Sequence, residues 1–191
     1  LRHRDMVCDP AQEPQRLSVA EAFRLYAGID LLSTLDGAAT VRDALAAQAV
    51  AAGLRVAGDD VWSDIFSRVL SERVEPHLGQ GRITILDRYP AAEAALARAC
   101  ADDPREAERF EVYACGVELA NGFGELTNPA EQRRRFEAEM DEKERVYGER
   151  YPLDEDFLAA LALMPPASGI ALGFDRLVML ACGAGQIEEV M

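Results

Sequence analysis

Residues 118–135 read ELANGFGELTNPAEQRRR, a polar run set inside an otherwise apolar strand pattern. Val117–Phe123 has the look of a strand, yet Glu118, Asn121 and Glu125 fall within eight residues, more polar groups than a purely core-filling strand needs. Period two puts Glu118, Ala120 and Gly122 on one face and Asn121 on the other. Either a twist or bulge re-aims Asn121, or the two residues serve different sides, and Gly122 makes an irregularity cheap. Asn128-Pro129-Ala130-Glu131 then starts a helix: Asn as cap, Pro at the first helical position, Glu closing a capping box. That helix is expected to run to about Tyr147. The counterpart is 169–176, GIALGFDR, read as a strand over Ile170–Leu172 turning into a helix. Its glycines, Gly169 and Gly173, suit either a close backbone approach to a flat ligand or a plain strand-to-helix turn. Neither a G-K-[ST] nor a G-x-G-x-x-G pattern is present, so this is not a phosphate loop. The two stretches together are read as a small-molecule site.

Upstream of this pair, Phe110, Val112 and Ala114 alternate with Glu111 and Tyr113, and Cys115–Gly116 offers a turn into an antiparallel return. RITIL at 82–86 reads as a shorter strand, bounded upstream by Gly79 and Gly81. The segment PAAEAALARAC fits a short helix or an irregular crossing equally well. Before residue 79 the pattern is helical. Ser18 with Glu21 forms a capping box for a helix over about 19–27 that stops at Gly28, Thr40 with Asp43 repeats the signal for a helix ended by Gly53, and Asp59 or Asp60 opens a third. Val61, Ile65, Phe66, Val69 and Leu70 give that third helix its apolar face, with Trp62 packed in or beside it. In the long helix after Asn128, Gln132, Phe136 and Met140 share a face. Its charge run, Arg133, Arg134, Arg135, Lys143 and Arg145 among Glu137, Glu139, Asp141, Glu142 and Glu144, is read as a solvated surface. Asp154 caps a shorter helix to about Met164, ended by Pro165–Pro166. The expected division is a mainly helical lobe over 1–81 and a sheet core over 82–191. The sheet is expected to be built from 82–86, 108–123 and 168–173 and covered by helices at 129–147 and 174–182.

With 49% apolar and 28% charged residues, 191 residues can bury a core. Lys and Arg number 20 against 34 Asp and Glu, a formal charge of −14 that opposes broad attraction to phosphate backbones. No apolar run approaches the roughly 18 residues of a membrane span, and the first residues are not a signal peptide. Cys8, Cys100, Cys115 and Cys182 form no C-x-x-C pair, and His3 and His77 lie far apart. Reduced thiols in a cytoplasmic protein are expected, not a zinc site or a disulfide framework. The chain has no initiator Met, from which a fragment is expected.

Chemically, Glu118 and Glu125 could hold a divalent cation beside a polyphosphate, or one of them could receive an ammonium group. Asn121 both donates and accepts, which suits an amide or a carboxylate-bearing ligand. The planar fork of Arg176 could lie against an adenine ring or pair with a terminal phosphate. The plainer alternatives are a structural Glu118–Arg176 ion pair, a turn-satisfying Asn121, and an Asp175 that only caps the last helix.

Residues 118–136, ELANGFGELTNPAEQRRRF, followed by 164–180, MPPASGIALGFDRLVML, resemble the C-terminal half of a class II lysyl-tRNA synthetase catalytic domain, with its late catalytic strand and motif 3. Through RLSVAEAFRLYAGIDLL, VEPHLG and ERFEVYACGVELANGF, nearly the whole chain is similar to the stand-alone lysyl-tRNA-synthetase-like family that modifies elongation factor P, the elongation factor P–lysine ligases. The resemblance implies an α+β fold with an antiparallel sheet flanked by helices. It implies that Glu118 and Leu119 lie at ATP and its magnesium, with Glu118 on the metal, and that Gly173 lies under the nucleotide. Arg176 would pack on adenine and reach the terminal phosphate, Asn121 would hold the amino-acid carboxylate or the metal-side network, and Glu125 would face the substrate amino group. Ala120 stands where lysyl-tRNA synthetases usually carry glycine, which would reshape the pocket toward β-lysine, although one methyl is worth only about 1–3 kcal/mol.

The implied reaction joins ATP and lysine or (R)-β-lysine into an adenylate and passes the acyl group to a lysine of elongation factor P, without tRNA or membrane. The parent protein would be a homodimer. Gly124 departs from the family, which tends to carry histidine there. Motifs 1 and 2, with the motif 2 arginine, would lie before Leu1, so the expectation is an incomplete fold that does not form the adenylate by itself. The alternatives are a lysyl-tRNA synthetase acting on tRNA, a non-catalytic synthetase-like binding paralogue, and an α+β domain whose polar residues merely satisfy its core.

Overall fold

A computed structural model describes residues 1–37 and 39–191; the side chain of Glu142, one of the charge-run residues, lies outside what is described. The strands are β1 (Arg2–His3), β2 (Met6–Asp9), β3 (Gln15–Ser18), β4 (Leu35–Asp36), β5 (Ala39–Thr40), β6 (Gly81–Arg82), β7 (Thr84–Pro90), β8 (Glu106–Ala114), β9 (Val117–Gly124) and β10 (Ser168–Leu172). The α-helices are α1 (Val19–Ala22), α2 (Arg42–Ala51), α3 (Trp62–Val69), α4 (Pro129–Tyr147), α5 (Glu155–Leu161) and α6 (Phe174–Cys182).

Five strands form the main sheet in the order β10-β9-β8-β7-β3, antiparallel except for the parallel β7–β3 pair. Three of its segments are the expected ones. The addition is β3, from the stretch expected to be helical: Gln15–Ser18 lines up with Thr84–Asp87, and the whole helical lobe forms the crossover between them. Four residues are too few to show a period, so QRLS carries no strand signal of its own. The segment expected at 82–86 also divides. Gly81–Arg82 pairs with β2, whereas β7 continues to Pro90 past an irregularity at Arg88, whose φ is 56°.

Local signals explain most helix ends. Ser18 accepts the Glu21 N–H while Glu21 accepts the Ser18 N–H, and the helical run ends at Gly28 with φ 69°. Thr40 is not a cap: it lies in the β4–β5 pair, and α2 starts at Arg42 without a side-chain cap. Neither Asp59 nor Asp60 caps α3. Asp64 reaches back to the Val61 N–H, while Asp60 accepts from Ala57 and pairs with Arg68. At α4, Asn128 accepts from Ala130 and Glu131 as expected, but Glu131 does not close the box, because Arg134 and Arg135 draw its carboxylate away along the helix. Asp154 caps α5, which ends at Leu161, short of Met164. Much of the α4 charge run is a paired, solvated face, with Arg133 on Glu155 and Arg150 on Asp141 and Glu144. Arg135 departs from that expectation: its side chain is largely buried and turned onto the carbonyls of 94–97.

The principal core lies between the helical lobe and one sheet face. Phe23, Ile29, Leu45, Trp62, Ile65, Phe66 and Val69 meet Leu86, Tyr89 and Tyr113 from the strands. Trp62 is a core residue, stacked on Phe66 and donating to Thr34 Oγ1 at 3.1 Å. A smaller core seats α6 on the far ends of β2, β8 and β9 through Cys8, Ala114, Cys115, Leu119, Met179 and Leu180. Between the two, Gly79 carries the loop after Val74 under the β8–β9 turn: φ is 69°, and a Cβ there would stand 2.5 Å from Ala114 Cα. Its carbonyl accepts the Cys115 N–H at 2.9 Å. Among the described residues no helix is long and apolar enough to cross a membrane.

Candidate active site

The phase conflict between Glu118 and Asn121 is resolved by a bulge. Val112 pairs with Ala120 but Tyr113 pairs with Glu118, leaving Leu119 as the extra residue on β9. Asn121 pairs with Glu111, two residues from Tyr113, so Glu118 and Asn121 share a face. Leu119 turns into the α6 core, 5% exposed, and its carbonyl accepts the Gly173 N–H at 2.8 Å. The bulge thereby ties β9 to the start of α6. Arg176, one turn further on, donates to the Glu118 carbonyl at 2.9 Å and to its carboxylate at 3.2 Å.

On the same side β10 offers only small groups, since Gly169 pairs with Phe123 and Ala171 with Asn121. Ile170 and Leu172 point to the opposite face. The result is a shallow strip bordered by Glu118, Asn121 and Arg176, with Glu125 at its far end. The Glu125 carboxylate lies over Gly169, where a Cβ would come within 2.8 Å of Oε1. Of the residues expected at the site, Glu118, Asn121, Glu125, Gly173 and Arg176 are thus brought to one edge of the sheet. Leu119 supports them from the core. Ala120 is not brought to them: it pairs with Val112 on the opposite face and is 4% exposed.

Behind the strip lies a residue that the sequence reading does not single out. Glu111 is 5% exposed and its carboxylate is saturated. It accepts from Tyr89 Oη at 2.5 Å, Tyr113 Oη at 2.6 Å, Arg109 at 2.6 Å and, more loosely, Asn121 Nδ2 at 3.5 Å. Arg109 lies over the Tyr89 ring, 4.3 Å from its centroid. Burial and the Glu111 charge push both tyrosine hydroxyls up from their usual range. The alternation of Phe110, Val112 and Ala114 with Glu111 and Tyr113 does not give this away, because the covered side is the reverse of the apolar one. Glu111 and Tyr113 are buried by the helical lobe, while Phe110 and Val112 are only partly covered.

Glu75, in the loop that Gly79 holds, completes the group, with Tyr113 Oη 3.4 Å away. Burial raises its carboxyl above the usual value, and the Glu111 and Glu118 charges raise it further. Asn121 Oδ1 is buried with no partner. A crowd of carboxylates and an orphaned acceptor fit a cationic guest. No group of three or more His, Cys, Asp or Glu side chains is poised to hold a metal among the described residues. Magnesium bound through one or two carboxylates plus substrate phosphates needs no such cage.

A cavity of about 650 Å³ opens elsewhere, between Arg16, Asp87, Arg98, Cys100, Glu108, Phe110 and Gly124. It touches neither Glu118 nor Arg176, and its four arginines are all paired, Arg16 on Asp87, Arg88 on Glu106, Arg98 on Glu108 and Arg109 on Glu111. The Arg98–Glu108 pair occupies the space where a side chain at residue 124 would begin, so glycine is the residue that fits there.

A mixed sheet dominated by antiparallel pairs, flanked by helices, with a strand–helix arginine facing an acidic strand, defines the class II synthetase type of fold. The family model for class II tRNA synthetases (D, K and N) matches residues 8–191, and the chain belongs to that family. It is 42% identical over 185 residues to the elongation factor P–(R)-β-lysine ligase of Haemophilus ducreyi, covering 96% of this chain and 54% of that protein. To the ligase of the same name from Proteus mirabilis it is 43% identical over 182 residues, 93% of this chain and 54% of that protein. To the lysine–tRNA ligase of Dehalococcoides mccartyi (strain 195) it is 40% identical over 178 residues, 92% of this chain and 34% of that protein. The chain therefore spans about half the length of the elongation factor P ligases it matches, and about a third of the lysine–tRNA ligase.

Proposed function

We propose that this chain forms the late half of an ATP-dependent amino-acid-activating site, in a protein that activates a lysine-type amino acid, (R)-β-lysine, and transfers it to a lysine of elongation factor P. The observation that carries the reading is the convergence of Glu118, Asn121 and Arg176 on a flat Gly169–Ala171 strip, in a chain similar along nearly all its length to the elongation factor P ligases. In this reading Gly173 and the strip would hold the nucleotide, and Arg176, now on Glu118, would be the residue to hold its ring and a phosphate. Glu118 would hold magnesium together with the phosphates, while Glu111 holds Asn121 from behind. Magnesium, when bound, supplies charge neutralisation on the phosphates. Glu125 would receive the substrate amino group, and Asn121 would hold the amino-acid carboxylate or the metal-side network. Ala120, on the other face, acts on the pocket only through the position of β9.

Catalysis of this kind is positional and electrostatic, needing no covalent enzyme intermediate. Arg109 is held by Glu111 and the Glu93 carbonyl with its side chain 20% exposed, whereas Arg176, though paired with Glu118, is 47% exposed, so Arg176 is the arginine better placed to meet phosphates. We accordingly propose that these 191 residues alone do not form the adenylate at a useful rate, and that motif 1 and motif 2 elements complete the site. The whole protein is proposed to be a cytoplasmic homodimer that needs neither tRNA nor a membrane. The two-part division at 81/82 is kept as a working description, with β3 crossing it.

The test is modification of elongation factor P by the whole protein with ATP, magnesium and either (R)-β-lysine or lysine, read by mass, beside aminoacylation of tRNA. Preferential β-lysine transfer to the protein acceptor is expected. Charging of tRNA with lysine, and no transfer to elongation factor P, would sink the reading and favour a lysine–tRNA ligase, to which the 40% identity is almost as high.

A further inference from the structure

The segment 94–100 enters the sheet without being one of its strands. Antiparallel bridges join Ala97 to Glu125 and Ala99 to Ala107, with the Arg98 N–H on the Gly124 carbonyl at 2.8 Å and the Leu126 N–H on the Leu96 carbonyl at 3.0 Å. On its other side Glu125 donates its N–H to the Ala167 carbonyl at 3.0 Å. Glu125 thus sits between two irregular segments, just past the end of β9, where no continuous ladder fixes it.

The 94–97 segment is fixed by α4. Arg135, with a side chain 13% exposed, donates through one nitrogen to the carbonyls of Ala94 at 2.8 Å, Ala97 at 2.8 Å and Ala95 at 3.4 Å. Gln132, 1% exposed, adds a donor to Ala95 at 3.2 Å. Glu131 holds the other edge of the same guanidinium, Nε to Oε1 at 2.9 Å. These carbonyls belong to an alanine-rich stretch whose side chains bring no polar partner, and buried carbonyls left open are costly. The three carbonyls share the two hydrogens of one guanidinium nitrogen, while Nε is anchored on Glu131; a lysine ammonium could reach the carbonyls but would lack that second anchor.

We infer that Arg135, seconded by Gln132, is a positioning residue for Glu125. By closing the 94–97 carbonyls it sets the segment against which Glu125 is aligned, and so the place where the substrate amino group is received. The inference rests on the proposed role of Glu125, and its test separates the two.

Arg135→Gln and Arg135→Lys are compared with the parent. Amide hydrogen exchange in this chain reads the alignment, and the KM values of the whole enzyme for (R)-β-lysine and for ATP, by pyrophosphate exchange, read the consequence. In Arg135→Gln the Arg98 and Leu126 amides are expected to exchange about tenfold faster or more while the β8–β9 ladder holds. KM for the amino acid rises about tenfold with KM for ATP unchanged, since small misplacement of a binding group is costly. Arg135→Lys falls between parent and Arg135→Gln in both readouts. Unchanged exchange at Arg98 and Leu126, exchange raised throughout the sheet, or a fall in kcat with both KM values kept would overturn it. An unsubstituted enzyme that takes no lysine-type amino acid would refute the functional reading, and the exchange result would still decide whether Arg135 aligns Glu125.

Discussion

Replacing Glu111 with leucine removes the acceptor on which four donors converge. The carboxylate is buried, so the substitution leaves Arg109 without its carboxylate, the Tyr89 hydroxyl without an acceptor, and the Tyr113 hydroxyl with only its longer contact to Glu75 at 3.4 Å. Breaking a buried ion pair by deleting one partner costs about 3–5 kcal/mol, and each buried donor left open about 1–3 kcal/mol more. Arg109 keeps its contacts with the Glu93 carbonyl and the Tyr89 ring, which limits the first loss. A destabilisation of about 4 kcal/mol or more is expected, against a total stability for a domain of about 5–15 kcal/mol. Tyr89→Phe and Tyr113→Phe leave the carboxylate with its other donors, so each is expected to cost about 1.5–3 kcal/mol, the worth of one hydrogen bond to a charged group. Equilibrium urea unfolding of the four proteins reads this directly. With a slope of about 2 kcal/mol per molar, Glu111→Leu moves the midpoint down by about 2 M and each tyrosine variant by about 1 M. A Glu111→Leu loss below about 1 kcal/mol, or a tyrosine variant that costs more than the glutamate variant, would refute the hub.

Three further outcomes concern single positions. The Glu75 carboxyl is raised by burial and by its acidic neighbours, so the folded state holds its proton more tightly than the unfolded state. Its contribution is fully present below the unfolded carboxyl value and is lost as pH rises through the folded value. Glu75→Gln should therefore weaken the fall in urea midpoint on going from about pH 4.5 to about pH 8, and an identical fall in both proteins would count against the cluster. Gly79 and Gly148 have nearly the same φ, 69° and 70°, but a Cβ at Gly79 meets the Ala114 backbone while one at Gly148 meets nothing within 4 Å. Gly148→Ala should cost about 1 kcal/mol and Gly79→Ala at least about 3 kcal/mol by thermal unfolding, with equal costs excluding the close approach. Gly124→His should lower the melting temperature by displacing the Arg98–Glu108 pair, and adding Glu108→Ala should recover part of that loss. A neutral Gly124→His would show that the pair does not fill the site.

Much of the architecture is legible in the chain because its signals are local. Ser18 with Glu21, Asn128 with Pro129, Asp154, and the glycine at 28 act within one helical turn, so sequence neighbours are enough to place those ends. Alternation locates β8 and β9 for the same reason. The elements that escape such a reading depend on distant partners. Gln15–Ser18 is a strand only because Thr84–Asp87 lies beside it, and Asp60 is an ion-pair partner instead of a cap because Arg68 is one helix face away. Glu131 is drawn from its own helix start by two guanidiniums. At the site, the residue types at 118, 121, 125 and 176 can be named from the chain, but their common side cannot, since the extra residue at Leu119 shows only when β8 is set against β9. Glu111 looks in the chain like one acid in an alternating strand, and its importance lies in Tyr89, 22 residues away, and in Arg109 and Tyr113 on its own strand.

The central claim is that β9 and the start of α6 already form a nucleotide edge. Its most direct test is calorimetric titration of the 191-residue chain with magnesium–ATP, repeated with Arg176→Ala and Glu118→Ala. Saturable binding by the parent, lost or weakened about tenfold or more in each folded variant, is the expected result. Binding that persists unchanged in both variants, or no binding by a parent chain shown to be folded, would contradict it.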